Sequence, residues 1–274
     1  MSSGSGLEDR AHALEEKAAR EHDRQALEAL AKKMGKTLES KTAYGVEVAG
    51  APHTKEWRAF VTRGGARVSA WHDVPLVASG EGDAVVHNVV FEMPKGTDAK
   101  MEVALDEPHN PVKQDTKNDK LRVITYGKSL WNYGSMPQTW EDSNVALAGT
   151  TFKGDGDPLD VVEIGSAVLP CGAVAPVRVL GAIALIDEGE IDWKIVAIST
   201  ADAAAARLKD INDVDKAKLD QVREWYKLYK TVDGKGVNQF AFDGKFFDRA
   251  YTLKLIDDCQ KSWKKHKKPK AAKK

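Results

Sequence analysis

The stretch KGDGDPLDVVEIG, Lys153 to Gly165, gathers Asp155, Asp157 and Asp160 within six residues, set among glycines and a proline. Carboxylates this close repel one another, and some take up protons unless a cation or a cluster of donors compensates. Gly, Asp and Pro are also ordinary turn residues, so a solvated turn is the plainer reading of the loop taken alone. The apolar LDVVEIG that follows reads as a strand, with Asp160 at its start. An acidic loop fused to a buried strand is a rigid platform for a ligand.

Two familiar ion and phosphate loops do not fit. Counted from Asp155, a calcium-binding EF-hand needs an oxygen ligand at its fifth position, glycine at its sixth and glutamate at its twelfth. Leu159, Asp160 and Ser166 stand there instead. The GKS at Gly127 to Ser129 resembles the end of a P-loop, which requires a glycine five residues before Gly127, where this chain has Arg122.

A second acidic cluster lies in ALIDEGEIDWKIVAI, with Asp187, Glu188, Glu190, Asp192 and then Lys194. Asp192 and Lys194 are two apart at the start of an apolar strand, so their side chains project from one face. Glu92 in VVFEMP, with Lys100 and Glu102 in AKMEVAL, repeats the pairing of acid and lysine at strand edges. Carboxylates converging with lysines and an arginine suit hard divalent cations holding a polyanion. Mg2+ prefers oxygen ligands and shares its coordination with substrate phosphates. Lys and Arg neutralise the remaining phosphate oxygens. The chemistry implied is metal-assisted phosphoryl transfer to water.

Positioning these groups requires a β-rich scaffold, and the 274-residue chain is long enough to bury its core without disulfide or metal staples. From Lys55 to Gly189 short β-rich runs alternate with turn residues: WRAFV, ARVSAW, AVVHNVVFEM, KMEVAL, KLRVITY, LDVVEIG and VAPVRVLGAIALI. Closely spaced short strands predict a small barrel or sandwich. Helical patterns return over 215–230 and 246–266, which makes the domain α+β. An amphipathic helix is predicted over about Leu7 to Met34, an N-terminal helical extension occupying residues 1–43. The domain proper is set at 44–263, and 264–274 is a lysine-rich tail expected to be disordered and solvated.

Lys plus Arg and Asp plus Glu both number 41, a balance that argues against a general nucleic-acid binder. Cys171 and Cys259 have no metal-site or disulfide spacing, so a reducing compartment is the simpler reading. No apolar run reaches the ~20 residues that cross a bilayer, so a soluble protein without a membrane partner is expected. The acid-rich first thirty residues resemble neither a transit peptide nor a secretory signal. A soluble intracellular protein follows, cytoplasmic or, if a targeting segment was removed, in a plastid or mitochondrial lumen.

At this point the segments WHDVPL, VVFEMPKGTDAKMEV, PVKQDTKNDKLRV, WNYGSMPQTWED, GDGDPLDVVEIG, ALIDEGEIDWKIVAI and EWYKLYK, taken in order, resemble the soluble inorganic pyrophosphatases of family I, eukaryotic type. The likeness runs from about Trp57 to Trp263, and the acidic loop is the family's signature. It implies a five-stranded OB-like β-barrel with flanking helices and extra strands. It also implies hydrolysis of inorganic diphosphate to two orthophosphates with several Mg2+ ions per site, by a monomer or homodimer. Carried over by motif, Asp155, Asp160 and Asp192 are the principal metal ligands, Asp160 bridging two ions, with Glu102 and Asp187 holding further ions. Asp157 faces the attacking water, and two cations sharing that water lower its pKa towards ~7. Lys100, Arg122, Lys194, Tyr229 and Lys230 bind phosphoryl oxygens, Tyr133 assists from the wall, and Glu92 is a further acidic wall residue.

Two positions depart from the family. Ser129 stands where many members carry a phosphate-contacting tyrosine, and Lys95-Gly96 replaces the Arg-Trp of dimeric relatives. Trp131, Trp140 and Trp225 read as packing, and His72 and Asp73 as a turn with a local hydrogen bond. Two other functions compete: an oligonucleotide-binding barrel, which needs a basic aromatic groove rather than an acidic one, and a degenerate member acting as a scaffold, against which the retained aspartates argue.

Overall fold

The computed structural model describes residues 44–267; the helical extension expected over 1–43 and the tail from residue 268 lie outside the described residues. Along the chain the strands are β1 (Tyr44–Ala49), β2 (Arg58–Arg63), β3 (Ala66–Arg67), β4 (Val77–Ser79), β5 (Val86–Met93), β6 (Met101–Val103), β7 (Val112–Gln114), β8 (Thr116–Lys117), β9 (Lys120–Leu121), β10 (Asn132–Ser135), β11 (Asp160–Glu163), β12 (Val174–Asp187), β13 (Glu190–Ser199) and β14 (Gln239–Phe240). Two α-helices, α1 (Lys216–Leu228) and α2 (Arg249–His266), follow β13 and β14 respectively.

Five strands close into a ring: β12 pairs with β13 and β5, β13 with β11, β11 with β10, and β10 with β5. Closure pairs the backbone of every ring strand on both sides and removes the open edges of a flat sheet. All pairings in the ring are antiparallel except β11 with β13, which sets Asp160 beside Lys194. A second sheet, ordered β1-β2-β7-β6, carries Glu102 on β6. The ring has the five strands that the family resemblance implies, and is one of the two forms, barrel or sandwich, that the strand spacing predicts.

Apolar runs rather than strict alternation mark these strands because both of their faces are covered. Phe91, Val161 and Ile195 pack in one cluster with Ile256 and Cys259 of α2. Their neighbours Val90, Val162 and Val196 pack in the other with Val222 and Tyr226 of α1. Each helix starts on an aspartate: Asp215 accepts a hydrogen bond from the Ala217 amide, and Asp248 from that of Tyr251. Such caps satisfy amides that a helix cannot bond internally.

Several boundaries differ from those read in the sequence. Helix α2 begins at Arg249 rather than at 246 because Phe247 exchanges two backbone hydrogen bonds with Ala182 of β12, at 2.8 and 3.1 Å. It runs on to His266, so residues 264–266 of the expected tail are helical. ARVSAW and KLRVITY shrink to the two-residue strands β3 and β9. Strand β10 carries no β-rich run, since its sequence is NYGS.

Gly134 explains why that strand tolerates so weak a propensity. A Cβ there would lie 2.2 Å from the Val90 carbonyl oxygen of β5, so the two backbones meet only because the position lacks a side chain. Gly134→Ala is expected to cost about 1–3 kcal/mol through forced backbone displacement. Thermal melting checks this; an unchanged midpoint would mean the ring absorbs the methyl group.

Candidate active site

The parallel pairing of β11 with β13 builds the centre of the site. Asp160 opens β11 directly opposite Lys194, and Asp192 lies two residues before Lys194 on the same face. Lys194 is 3% exposed. Its ammonium sits 2.5 Å from Asp160, 2.5 Å from Asp192 and 2.9 Å from the Tyr133 hydroxyl of β10. Tyr133 in turn donates to Asp160. Three ring strands thus converge on one buried cation.

The acidic loop adds Asp155 and Asp157, with the Asp157 amide donating to Asp155 Oδ1 at 2.9 Å. The sequence reading missed Glu141. One oxygen each from Glu141, Asp155 and Asp192 lie within 4.8 Å of one another. Glu141 is 3% exposed, accepts a 3.1 Å bond from the Trp193 amide on Oε1, and leaves Oε2 buried without a partner among the described residues. A buried orphaned carboxylate oxygen is costly, and three converging carboxylates supply only hard oxygen donors. This set fits a divalent cation such as Mg2+ or Ca2+.

The charges bear the marks of this crowding. Burial first, then Asp192 and Asp160, pushes the Asp155 carboxyl up to about 8. Burial and the Asp160 charge push Asp192 up to about 7 against the pull of Lys194, and Glu92 up to about 8. Burial and Asp155 hold Glu141 well above the usual carboxylate range. Asp160 moves the other way: burial opposes ionisation, but Lys194 and Lys100 outweigh it. Asp157 is raised by burial and by Asp160.

Two hollows meet at Lys100. One, of about 270 Å³, is lined by Glu92, Glu102, Asp157 and Asp160. The other, of about 50 Å³, is lined by Arg122, Tyr133, Lys194, Tyr229 and Lys230, with Ser129 and Trp225 in its wall. Lys100 lines both, 3.8 Å from Glu102. Glu92 accepts from the Val103 amide and the Ser135 hydroxyl, 3.1 and 3.0 Å away, so its role here is to tie β5 to β6 and β10. Arg122 pairs with Asp115 at 2.5 Å. Tyr226 was also missed; its ring lies 5.5 Å from the Lys194 ammonium. The Ser129 hydroxyl donates to the Trp131 carbonyl at 2.6 Å.

Asp187 is close enough for its charge to raise the Asp192 carboxyl. At the end of β12 its carboxylate is taken by Lys230, which follows α1, and the pair lines a separate hollow with Glu188 and Lys235. No helix among the described residues is long and apolar enough to cross a membrane.

An acidic hollow with Glu102, Asp157 and Asp160 thus adjoins, across Lys100, a wall of lysine, arginine and tyrosine on a closed five-strand ring. The family model described as inorganic pyrophosphatase matches residues 89–264. The chain is 45% identical over 229 residues to soluble inorganic pyrophosphatase 1, chloroplastic, of Chlamydomonas reinhardtii, covering 82% of this chain and 80% of that protein. It is 43% identical to the inorganic pyrophosphatase of Neurospora crassa, covering 81% and 78%. Among solved structures it is similar to the inorganic pyrophosphatase of Schistosoma japonicum, with a TM-score of 0.77, 44% identity and 80% of each chain covered. It is also similar to a truncated vacuolar soluble pyrophosphatase of Trypanosoma cruzi in complex with PPi, with a TM-score of 0.78, 37% identity, and 82% and 92% covered. The chain belongs to the family I soluble inorganic pyrophosphatases and is an inorganic diphosphatase.

The raised carboxyls predict a pH dependence. Between the unfolded value of roughly 4 and the folded values of about 7 and 8, the folded protein binds more protons than the unfolded chain. Stability therefore falls as pH rises through that window. Calorimetry of chelator-treated protein should show a melting temperature that declines from pH ~5 to ~8, with Mg2+ restoring more at the alkaline end. A flat or rising profile would contradict the assignment.

Proposed function

We propose that Asp155, Asp160, Asp192 and Glu141 hold Mg2+ at the acidic half of this site while Lys100, Arg122, Lys194, Tyr229 and Lys230 hold inorganic diphosphate at the other. The observation that carries this reading is Lys100, the shared wall of the acidic and basic hollows. A substrate bound across it has its phosphoryl oxygens among cations and its bridging bond beside the carboxylates. Mg2+ bound there would lower the pKa of a coordinated water towards ~7 and neutralise phosphate charge. Glu102 and Asp187 are assigned to further ions.

Asp157 is assigned to orient the attacking water and accept its proton. Its raised carboxyl makes it a stronger base than an exposed aspartate. Lys194 and Tyr133 stabilise charge that develops on the phosphoryl oxygens, since both are buried donors. Lys230 then exchanges Asp187 for a phosphoryl oxygen, which its flexible stem permits. Two orthophosphates leave, one carrying the oxygen of the water. The catalytic unit on this reading spans 44–263, with an OB-like ring as its scaffold.

Asp160→Asn removes one of the two charges paired with Lys194 and should lower diphosphate hydrolysis by roughly 10²-fold or more, with the fold retained by circular dichroism. Near-normal phosphate release at saturating Mg2+ would contradict its place at the metals. Asp155→Asn and Asp157→Asn separate the two roles. The first should weaken Mg2+ binding in calorimetry; the second should mainly slow turnover, by roughly 10²–10⁴-fold, and shift the pH–rate profile. Equal loss of Mg2+ affinity in both would make Asp157 a ligand instead.

A further inference from the structure

Beyond its internal bond from the Asp157 amide to Asp155, the acidic loop is held by the segment 136–141. The Met136 amide donates to the Leu159 carbonyl at 2.8 Å, and the Leu159 amide donates to the Thr139 hydroxyl at 2.9 Å. The Glu141 amide donates to the Asp157 carbonyl at 2.8 Å, and the Gly156 amide returns a bond to the Glu141 carbonyl at 3.0 Å. The remaining link is a side chain: the Trp140 indole donates to the Gly156 carbonyl at 2.8 Å. Gly156 has φ of +88°, a conformation favourable only to glycine, so its peptide has no side chain of its own to pin it.

Trp140 is itself gripped from the far side. Its amide donates to the Cys259 carbonyl of α2 at 3.1 Å, and its ring lies 4.2 Å from that of His266 in the last turn of α2. Helix α2 is held there by a second contact, in which the Trp263 indole donates to His72 Nδ1 at 2.9 Å. A continuous path thus runs from α2 through Trp140 to the peptide between Asp155 and Asp157.

We infer that Trp140, beyond packing, is a positioning residue that sets the angle between the Asp155 and Asp157 carboxylates through its bond to Gly156, and that α2 is its anchor. The inference rests on the reading in which this loop holds cations. Without the indole N–H, the Gly156 carbonyl loses its tie to the segment 136–141, the loop is left to its backbone bonds with Glu141 and the Asp157–Asp155 bond, and the convergence of Asp155 with Glu141 and Asp192 loosens. Affinity for Mg2+ then falls, whereas Lys194 on β13 and Tyr229 and Lys230 just after α1 are untouched.

Trp140→Phe keeps a ring against His266 and deletes only the donor. Calorimetric titration of the full chain with Mg2+, without substrate, should show a midpoint raised roughly three- to ten-fold, the worth of one hydrogen bond. The KM for diphosphate at saturating Mg2+ should change less than about two-fold on the same argument. Trp263→Phe deletes an indole donor of the same helix end while the Trp140 indole bond and its amide bond to Cys259 remain, so its midpoint should move clearly less than that of Trp140→Phe. His266→Ala, which removes the ring under Trp140, should move the midpoint in the same direction as Trp140→Phe and tests the path should that variant fold poorly. Equal midpoints for Trp140→Phe and Trp263→Phe, or an unmoved midpoint for His266→Ala, overturn the positioning role. Absence of saturable Mg2+ binding by the unaltered protein overturns the reading beneath it.

Discussion

Everything at the site follows from the ion pair of Lys194 with Asp160 and Asp192. Burying several carboxylates within a few ångströms is unfavourable unless opposite charge is buried with them. One lysine between two acids, with a tyrosine hydroxyl completing its coordination, lets β11 and β13 pair in parallel register at that point. The remaining acids, Asp155 and Glu141, gain no such partner among the described residues and carry raised carboxyls. That residue of uncompensated charge is what a divalent cation relieves, so the fold is built around a deficit that binding fills.

The closed ring makes such a deficit tolerable. Backbone hydrogen bonds on both sides of β5, β10, β11, β12 and β13 and apolar packing on both faces hold the acids together against their repulsion. The strut 136–141 does for the acidic loop what the ring does for Asp160 and Asp192. Lys230, just after α1, does it for Asp187.

Much of this was legible in the sequence where the chemistry is local. Asp155, Asp157 and Asp160 share one loop, and Asp192 and Lys194 share one strand face by the two-residue period, so spacing alone brought them forward. The resemblance then supplied the order of segments and the ring. Glu141 was not legible: a glutamate between Trp140 and Asp142 reads as a surface residue, and only tertiary structure buries it beside Asp155. Strand β10 was hidden because Asn, Gly and Ser lack strand propensity, their use there being dictated by the close approach of β5. The grip of Lys230 on Asp187 spans 43 residues and follows from no local pattern.

The central claim is that the carboxylates of this site are arranged for divalent cations. Crystals soaked in Mn2+, which replaces Mg2+ at oxygen sites, would reveal the ions by anomalous scattering. The account predicts peaks bounded by Asp155, Asp160 and Asp192, with Glu141 oriented towards them. Peaks confined to other surfaces, or an acidic cluster that stays metal-free while Lys194 remains its only counter-charge, would contradict it.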